Sequence, residues 1–170
     1  MTRFILASAS PRRKQLLEQA GYAFEIVVSD ADESLPAGIT PEKAVRLNAA
    51  RKAQAVAETN PDAVVLGCDT VVAIDGEILG KPQDEAEAKA MLRRLSGNTH
   101  TVYSGVCITD GETETVFAVA TDVTFYALSD WTIDAYAATK EPMDKAGAYG
   151  IQGKGARLIR RIDGDYYTVV

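Results

Sequence analysis

The order of hydrophobic and polar residues predicts a short buried strand and then a helix at the amino end of the chain. Residues 4–7 form an apolar run that is long enough for a strand but too short for a helix. Ser10 and Pro11 have the side chains preferred at the N-cap and first turn of a helix. Leu16 and Leu17 continue the helical spacing, so we expect the chain to begin with a strand–helix unit.

Further along, the pattern first alternates between strands and helices and then becomes rich in hairpins. A second strand is predicted at residues 23–28, and a long helix begins at Pro41. The remaining predicted elements are strands at residues 63–74, 101–109, 115–128 and 158–162, and helices at 84–95 and from Ser129 or Asp130 onward. Asp-Gly pairs at Asp75 and Asp110 are typical of hairpin turns. The pattern therefore predicts an α/β fold with a mixed sheet covered by helices.

Composition and charge limit the classes of function. The 170 residues are 46% hydrophobic and 25% charged, as expected for one globular domain with a single core. The net charge of −6 argues against broad binding to nucleic acids or anionic membranes, because both require a large basic surface. Cys68 and Cys107 lie far apart among apolar neighbours, so we expect reduced core thiols and a cytoplasmic location.

The first predicted helix begins with three cations, Arg12, Arg13 and Lys14. A cation at a helix N-terminus is less favourable than an acidic residue by about 0.3–1 kcal/mol of free energy, because the helix dipole is positive there. A bound anion would reverse this effect. Backbone donors, the hydroxyls of Ser8 and Ser10 and two guanidinium groups would together form a phosphate site. The alternative is a solvated basic face.

Asp69 interrupts a long apolar strand, where aspartate is rare. An ionised carboxylate in that setting must be paired, hydrogen-bonded or bound to a metal. The alternative is a bulge at a sheet edge, where Asp69 would reach water. Glu33 lies in an acidic loop, and such loops are usually only solvated. Together, however, Glu33 and Asp69 would complete an oxygen-rich site for Mg²⁺ or Mn²⁺.

Two lysines are further candidates for binding phosphate. Lys81 lies between Gly80 and Pro82 on a rigid turn, and Lys52 lies in the long helix. For each the alternative is an ordinary exposed lysine. Other chemistries are disfavoured: the single His100 is predicted to be a polar residue at the start of a strand, no zinc-binding spacing occurs, and the glycines of residues 150–155 match neither a Walker A nor a dinucleotide motif.

The motifs resemble those of the Maf family of nucleoside triphosphate pyrophosphatases, from residue 4 to the end of the chain. The matching segments are LASASPRR (6–13), DE (32–33), RKA (51–53), LGCDTVV (66–72), GKP (80–82), MLRRLSG (91–97), SGV (104–106) and EPMDKAGAYGIQG (141–153). The resemblance implies a mixed, elongated β-sheet flanked by helices, with two lobes around a central cleft. It also implies hydrolysis of a nucleoside triphosphate to its monophosphate and pyrophosphate.

Within the family, Arg12, Thr70 and Gln152 resemble the residues found in the subgroup that acts on dTTP and UTP. Modified pyrimidine nucleotides are further candidate substrates. An amide such as that of Gln152 matches the O4 and N3–H groups of uracil or thymine. The hypothetical site has the following members: Asp69, Lys52 and Lys81 are catalytic, Ser8, Arg12, Arg13, Thr70 and Gln152 bind substrate, and Asp69 and Glu33 hold Mg²⁺ or Mn²⁺. In this hypothesis Asp69 orients or deprotonates the attacking water.

The resemblance also predicts partners and domain organisation. We expect a nucleoside triphosphate as the partner, no nucleic acid and no membrane, while a homodimer is left open. Residues 1–170 are predicted to form a single Maf-like domain. Family members usually continue past the position of Val170 into a final helix, which this chain is expected to lack. Two competing functions remain: a nucleotide-binding regulator of cell division or septum formation without turnover, and a phosphohydrolase that releases the γ-phosphate.

Overall fold

A computed structural model describes residues 2–170, which form seven strands, five α-helices and three 3₁₀ turns. The strands are β1 (Arg3–Leu6), β2 (Glu25–Ile26), β3 (Ala63–Ile74), β4 (Glu77–Leu79), β5 (Thr99–Thr109), β6 (Glu114–Phe125) and β7 (Ile159–Asp163). The helices are α1 (Pro11–Gln19), α2 (Pro41–Ala57), α3 (Glu85–Leu95), α4 (Asp130–Ala137) and α5 (Tyr166–Val169). The 3₁₀ turns are Glu141–Asp144, Ala146–Ala148 and Gly153–Leu158. None of the helices in residues 2–170 has the length and apolar character that a membrane span needs.

The strands form one mixed sheet in the order β2-β1-β3-β5-β6-β7, with β4 paired to β3. β1 pairs in parallel with β2 and with β3, whereas β3 with β4 and β6 with β7 are antiparallel. The predicted α/β class with a mixed sheet flanked by helices is therefore confirmed. β3 lies inside the sheet rather than at its edge. The alternative that placed Asp69 in an edge bulge is wrong.

Two predicted elements differ from the structure in extent. β2 covers only two residues instead of 23–28, because β1 pairs with it only through Ile5 and Leu6. α1 begins at Pro11 as predicted, with Ser10 as N-cap residue, but none of its residues is fully buried. Leu16 and Leu17 are half-buried. Both elements therefore lie at the periphery, where little packing fixes their length.

The chain divides into two compact units. Unit 1 comprises residues 2–69 and 104–118, and unit 2 comprises residues 70–103 and 119–170. The core of unit 1 joins strand residues to the small side chains of α2, and its members include Ile5, Ala49, Ala53, Val65 and Cys107. The core of unit 2 lies between α3, α4 and the strands, and its members include Leu92, Leu95, Val123, Phe125, Tyr136 and Leu158. Each unit thus has its own hydrophobic core.

His100 belongs to the core of unit 2, although the sequence predicted a polar position at the start of a strand. It lies in β5, and only 2% of it is exposed. Its Nε2 lies 2.6 Å from the hydroxyl of Tyr149, and its ring packs edge-on against Phe125. Burial lowers the pKa of His100 to about 4, although the charge of Asp122 opposes this. This neutral, buried imidazole therefore contributes to the packing of the core of unit 2.

In unit 1, β3 and α2 come into direct backbone contact at Gly67. A Cβ atom on Gly67 would lie 2.3 Å from the carbonyl oxygen of Ala49 and 2.7 Å from the amide nitrogen of Ala53. Gly105 in β5 meets α2 in the same way, since its Cβ would lie 2.3 Å from the carbonyl oxygen of Val45. Real side chains do not approach backbone atoms so closely. These two glycines therefore set the distance between the helix and the sheet.

Replacement of Gly67 by alanine is expected to destabilise the protein by about 1–3 kcal/mol, because backbone atoms of α2 would have to move. Gly80→Ala is the matched control, since no atom lies within 4 Å of the Cβ it would add. Urea unfolding followed by circular dichroism measures both. Equal transition midpoints for the two variants would show that α2 can shift without cost.

Candidate active site

The candidate site of unit 1 lies where three parallel strands end. β2, β1 and β3 run side by side in the same direction, so their carboxyl ends share one edge. Ser8 follows β1, the acidic loop with Glu33 follows β2, and Asp69 lies three residues beyond Leu66, the last residue of β3 in register with β1. Ligands of α/β folds commonly bind outside this edge. The topology therefore collects predicted site residues that are distant in sequence.

Asp69 is buried and ion-paired, as its apolar surroundings required. Its Oδ1 lies 2.8 Å from Nζ of Lys52, and the side chains are 11% and 12% exposed. The same Nζ lies 2.8 Å from Oε2 of Glu33, whose side chain is 58% exposed. Lys52 is therefore no ordinary surface lysine. It joins a buried carboxylate to an exposed one.

The close contact at Gly67 explains why α2 reaches Asp69. In β3 alternate residues point to the same face, so Gly67 and Asp69 face α2 together. Along α2, residues four apart lie on one face, so Asn48 and Lys52 are neighbours there. Gly67 brings that face against the strand. Asp69, two residues further on, therefore meets both side chains.

Asn48 is a site residue that the sequence analysis missed. It is only 4% exposed, and its Nδ2 lies 3.3 Å from the carbonyl oxygen of Glu33 and 3.5 Å from Oδ2 of Asp69. Its Oδ1 is buried and has no hydrogen-bond partner among residues 2–170. The available signal was a polar residue one turn before Lys52, among the apolar positions of the helix.

Ser8 connects β1 to the arginine-rich start of α1. It is 7% exposed, and its Oγ accepts hydrogen bonds from Nη1 of Arg13 at 3.1 Å and from the backbone N–H of Ser10 at 3.2 Å. The first turn of α1 contains no acidic residue, and Arg12 and Arg13 are half-buried. Of the predicted cluster, the contact between the Ser8 hydroxyl and one guanidinium group, that of Arg13, is present.

The Cys68 thiol is influenced by charges from both Arg13 and the carboxylate cluster. Burial raises the pKa of this thiol, and the positive charges of Arg13 and Lys52 oppose that rise. The neighbouring negative charge of Asp69 adds to the rise, and the Cys68 residue as a whole is half-buried. Both Cys68 and Cys107 are free thiols, as predicted, but only Cys107 is fully buried in the core.

Three predicted site residues belong to unit 2. Thr70 is half-buried in β3, and Lys81 is exposed just after β4. Gln152 is exposed and precedes the 3₁₀ turn Gly153–Leu158 as its N-cap residue. The exposure of Lys81 and Gln152 leaves both side chains accessible to a solute.

Glu33 and Asp69 bring two carboxylate groups to one place in unit 1, where both contact the Lys52 ammonium. Two carboxylates against one ammonium leave a net charge of −1 in the Glu33–Lys52–Asp69 cluster. Mg²⁺ is typically held by one or two carboxylates together with phosphate oxygens of the substrate. No group of three or more His, Cys, Asp or Glu side chains in residues 2–170 is arranged to hold a metal. The two carboxylates would therefore need oxygens from a phosphate ligand.

A double-mutant cycle on Lys52 and Asp69 tests the buried pair. Lys52→Met should destabilise the protein by about 1–3 kcal/mol, because Asp69 then keeps a buried charge without its partner. Asp69→Asn in the same background should recover part of that loss, which gives a coupling energy of at least about 0.5 kcal/mol. Glu33→Gln is the control, since an exposed pair contributes about 0–1 kcal/mol. Strict additivity in urea unfolding would contradict the pairing.

Comparison with known proteins identifies the family of this chain. The family model of Maf-like proteins matches residues 3–170. A protein of Bacillus cytotoxicus named dTTP/UTP pyrophosphatase is 55% identical over 170 residues, which are 100% of this chain and 89% of the relative. Proteins of the same name from Bacillus cereus strain AH820 and Bacillus anthracis strain CDC 684 are 55% and 54% identical, with the same coverage. The chain belongs to the Maf family.

Proposed function

We propose that this chain hydrolyses dTTP and UTP to the nucleoside monophosphate and pyrophosphate. The observation that carries the proposal is the buried Asp69 carboxylate, held by Lys52 at the carboxyl edge of three parallel strands. The arginine-rich start of α1 follows from the same edge. The name of the Bacillus relatives supports the choice of substrate.

In the proposed reaction a water oxygen attacks the α-phosphorus, and the bond to the β-phosphate oxygen breaks. Asp69 orients the water and accepts its proton, and pyrophosphate leaves with the bonding electrons. General-base catalysis of this kind contributes about 10²–10⁴ to the rate. The low exposure of Asp69 suits this role, because few competing waters reach its carboxylate.

The cations act on the polyphosphate. Arg13, fixed through Ser8, and Lys52, held between two carboxylates, neutralise charge that develops in the transition state. Donors already fixed by protein contacts need little reorganisation during the reaction. A guanidinium group suits phosphate oxygens because it can bind two of them at once. Arg12 shares its role between phosphate binding and base selection.

Asp69 and Glu33 are the residues that would hold Mg²⁺ or Mn²⁺. A bound divalent cation would neutralise phosphate charge and polarise the phosphoryl group. Both carboxylates already contact a cation, the Lys52 ammonium, at 2.8 Å. The carbonyl oxygen of Glu33 lies beside the Asn48 amide at the same place.

For unit 2 we propose that Lys81 binds phosphate and that Thr70 and Gln152 contact the nucleoside. The amide of Gln152 can donate to O4 and accept from N3–H of uracil or thymine. A base with the opposite pattern would leave these groups unpaired, which can produce large discrimination. We also propose a cytoplasmic location, supported by the two free cysteines.

Hydrolysis in H₂¹⁸O tests the reaction type directly. With UTP and Mg²⁺ or Mn²⁺ we expect one ¹⁸O atom in UMP and none in pyrophosphate, because the α-phosphorus is attacked. Mass spectrometry of both products gives the answer. Labelled orthophosphate would instead indicate attack at the γ-phosphorus, and binding of UTP without repeated turnover would indicate a nucleotide-binding regulator.

Asp69→Asn is expected to lower kcat for UTP at least about tenfold, and typically a hundredfold or more, because the amide cannot accept the proton of the water. Asp62→Asn is the control, since Asp62 is an exposed carboxylate of unit 1 paired with Arg3 at 3.0 Å. Its kcat should stay close to that of the unmodified chain. An Asp69→Asn variant that keeps more than a tenth of the turnover would refute the assigned role.

A further inference from the structure

The Glu141 carboxylate of unit 2 is bound by a glycine-rich loop of its own chain. Glu141 begins the 3₁₀ turn Glu141–Asp144 and is half-buried. Its Oε1 accepts the N–H of Gly155 at 3.0 Å, and its Oε2 accepts the N–H of Lys154 at 3.1 Å. Backbone donors of a loop commonly bind phosphate in this way, but here they bind a protein carboxylate.

Tyr136 extends the same network to the other end of the loop. It is fully buried in α4, and its hydroxyl donates to Oε1 of Glu141 at 3.1 Å. The same hydroxyl accepts the backbone N–H of Gly150 at 3.2 Å. Gly150 and Gly155 are thus both tied to the Tyr136–Glu141 pair. Gln152 is exposed on the segment between these two tethers.

The glycines are necessary for this arrangement. A Cβ on Gly155 would lie 2.1 Å from the carbonyl oxygen of Gly150 and 2.8 Å from the Tyr136 hydroxyl. Gly153 has a φ of +65°, and a Cβ there would lie 3.0 Å from Oε2 of Glu141. No other residue fits these positions without moving the carboxylate or the loop. The glycines at these positions therefore allow the Glu141 carboxylate to come close to the backbone of the loop.

The negative charge of Glu141 is stabilised from several sides. Burial opposes its ionisation, but the N–H groups of Gly155 and Lys154, the Tyr136 hydroxyl and the charge of Lys145 hold its pKa below the usual value. Lys145 also donates from Nζ to the backbone carbonyl of Glu141 at 2.8 Å. The carboxylate that holds the loop is therefore charged at neutral pH, and bonds to a charged acceptor are stronger than neutral ones.

We propose that Glu141 is a positioning residue for base selection, whose carboxylate fixes residues 150–155 so that the Gln152 amide is held in place for the pyrimidine. This inference rests on the proposed function, in which Gln152 contacts the base. Discrimination by an amide requires a fixed amide, because a mobile one can withdraw from a mismatched base and avoid leaving its groups unpaired. Glu141 itself touches neither the base nor the phosphates in this proposal.

The test measures kcat/KM for UTP and CTP in a Glu141→Gln variant. Glutamine has nearly the same shape, but its NH₂ group would face a backbone N–H, so at least one tether is lost. We expect the UTP/CTP ratio of kcat/KM to fall about tenfold. Tyr136→Phe, which removes the tether to Gly150, should shift the ratio in the same direction. Glu112→Gln, at an exposed glutamate of unit 1, is the matched control and should leave the ratio unchanged.

Hydrogen exchange provides a readout independent of activity. In Glu141→Gln the amides of Lys154 and Gly155 should exchange faster, while those of α3 keep the rate of the unmodified chain. Loss of protection throughout unit 2 would mean that Glu141 supports the whole fold, and the positioning role would be overturned. An equal fall in kcat/KM for UTP and CTP, with the ratio unchanged, would overturn it as well.

Gln152→Ala separates failure of this inference from failure of the proposed base contact. If Gln152→Ala lowers the UTP/CTP ratio and Glu141→Gln does not, the positioning role is wrong and the base contact stands. If Gln152→Ala leaves the ratio unchanged, the base contact is wrong, and the inference that depends on it is overturned too. A fall in the ratio with both variants supports the proposal.

Discussion

The buried ion pair between Lys52 and Asp69 is the interaction on which the candidate site depends. It places a carboxylate inside a strand that is otherwise apolar, at a position where water gives little stabilisation. The pair exists because α2 contacts β3 through backbone atoms at Gly67. The packing of unit 1 and the chemistry proposed for it thus rest on the same close approach.

The two carboxylates that contact Lys52 differ in their exposure to solvent. Asp69 is enclosed, whereas Glu33 comes from an exposed loop, and both contact the same ammonium group. An exposed ion pair adds little stability, so Glu33 can exchange partners at small cost. Loss of a partner for Asp69 would leave a buried charge uncompensated. These differences support a fixed role for Asp69 and an adaptable one for Glu33.

Glycine has two different uses in this protein. At Gly67 and Gly105 it removes a side chain so that a helix can contact the sheet. In residues 150–155 it lets backbone N–H groups surround the Glu141 carboxylate. The second run matches neither a Walker A nor a dinucleotide motif, and its N–H groups donate to Glu141. The backbone N–H groups of Lys154 and Gly155 in this run therefore bind an anion of the protein itself.

Local sequence was sufficient to predict α2, β3, the Asp75 hairpin and the cations at the start of α1, because capping, periodicity and turn chemistry act over a few residues. It also required Asp69 to have a partner, since an unpaired buried carboxylate is too costly. It could not identify the position of Asn48, the burial of His100 or the backbone hydrogen bonds to Glu141. Those outcomes depend on contacts between residues 14 to 49 positions apart, and no local pattern encodes such contacts. Local sequence therefore determined the helices and strands and the short-range contact of Ser8 with Arg13, whereas long-range packing decided which distant polar groups meet.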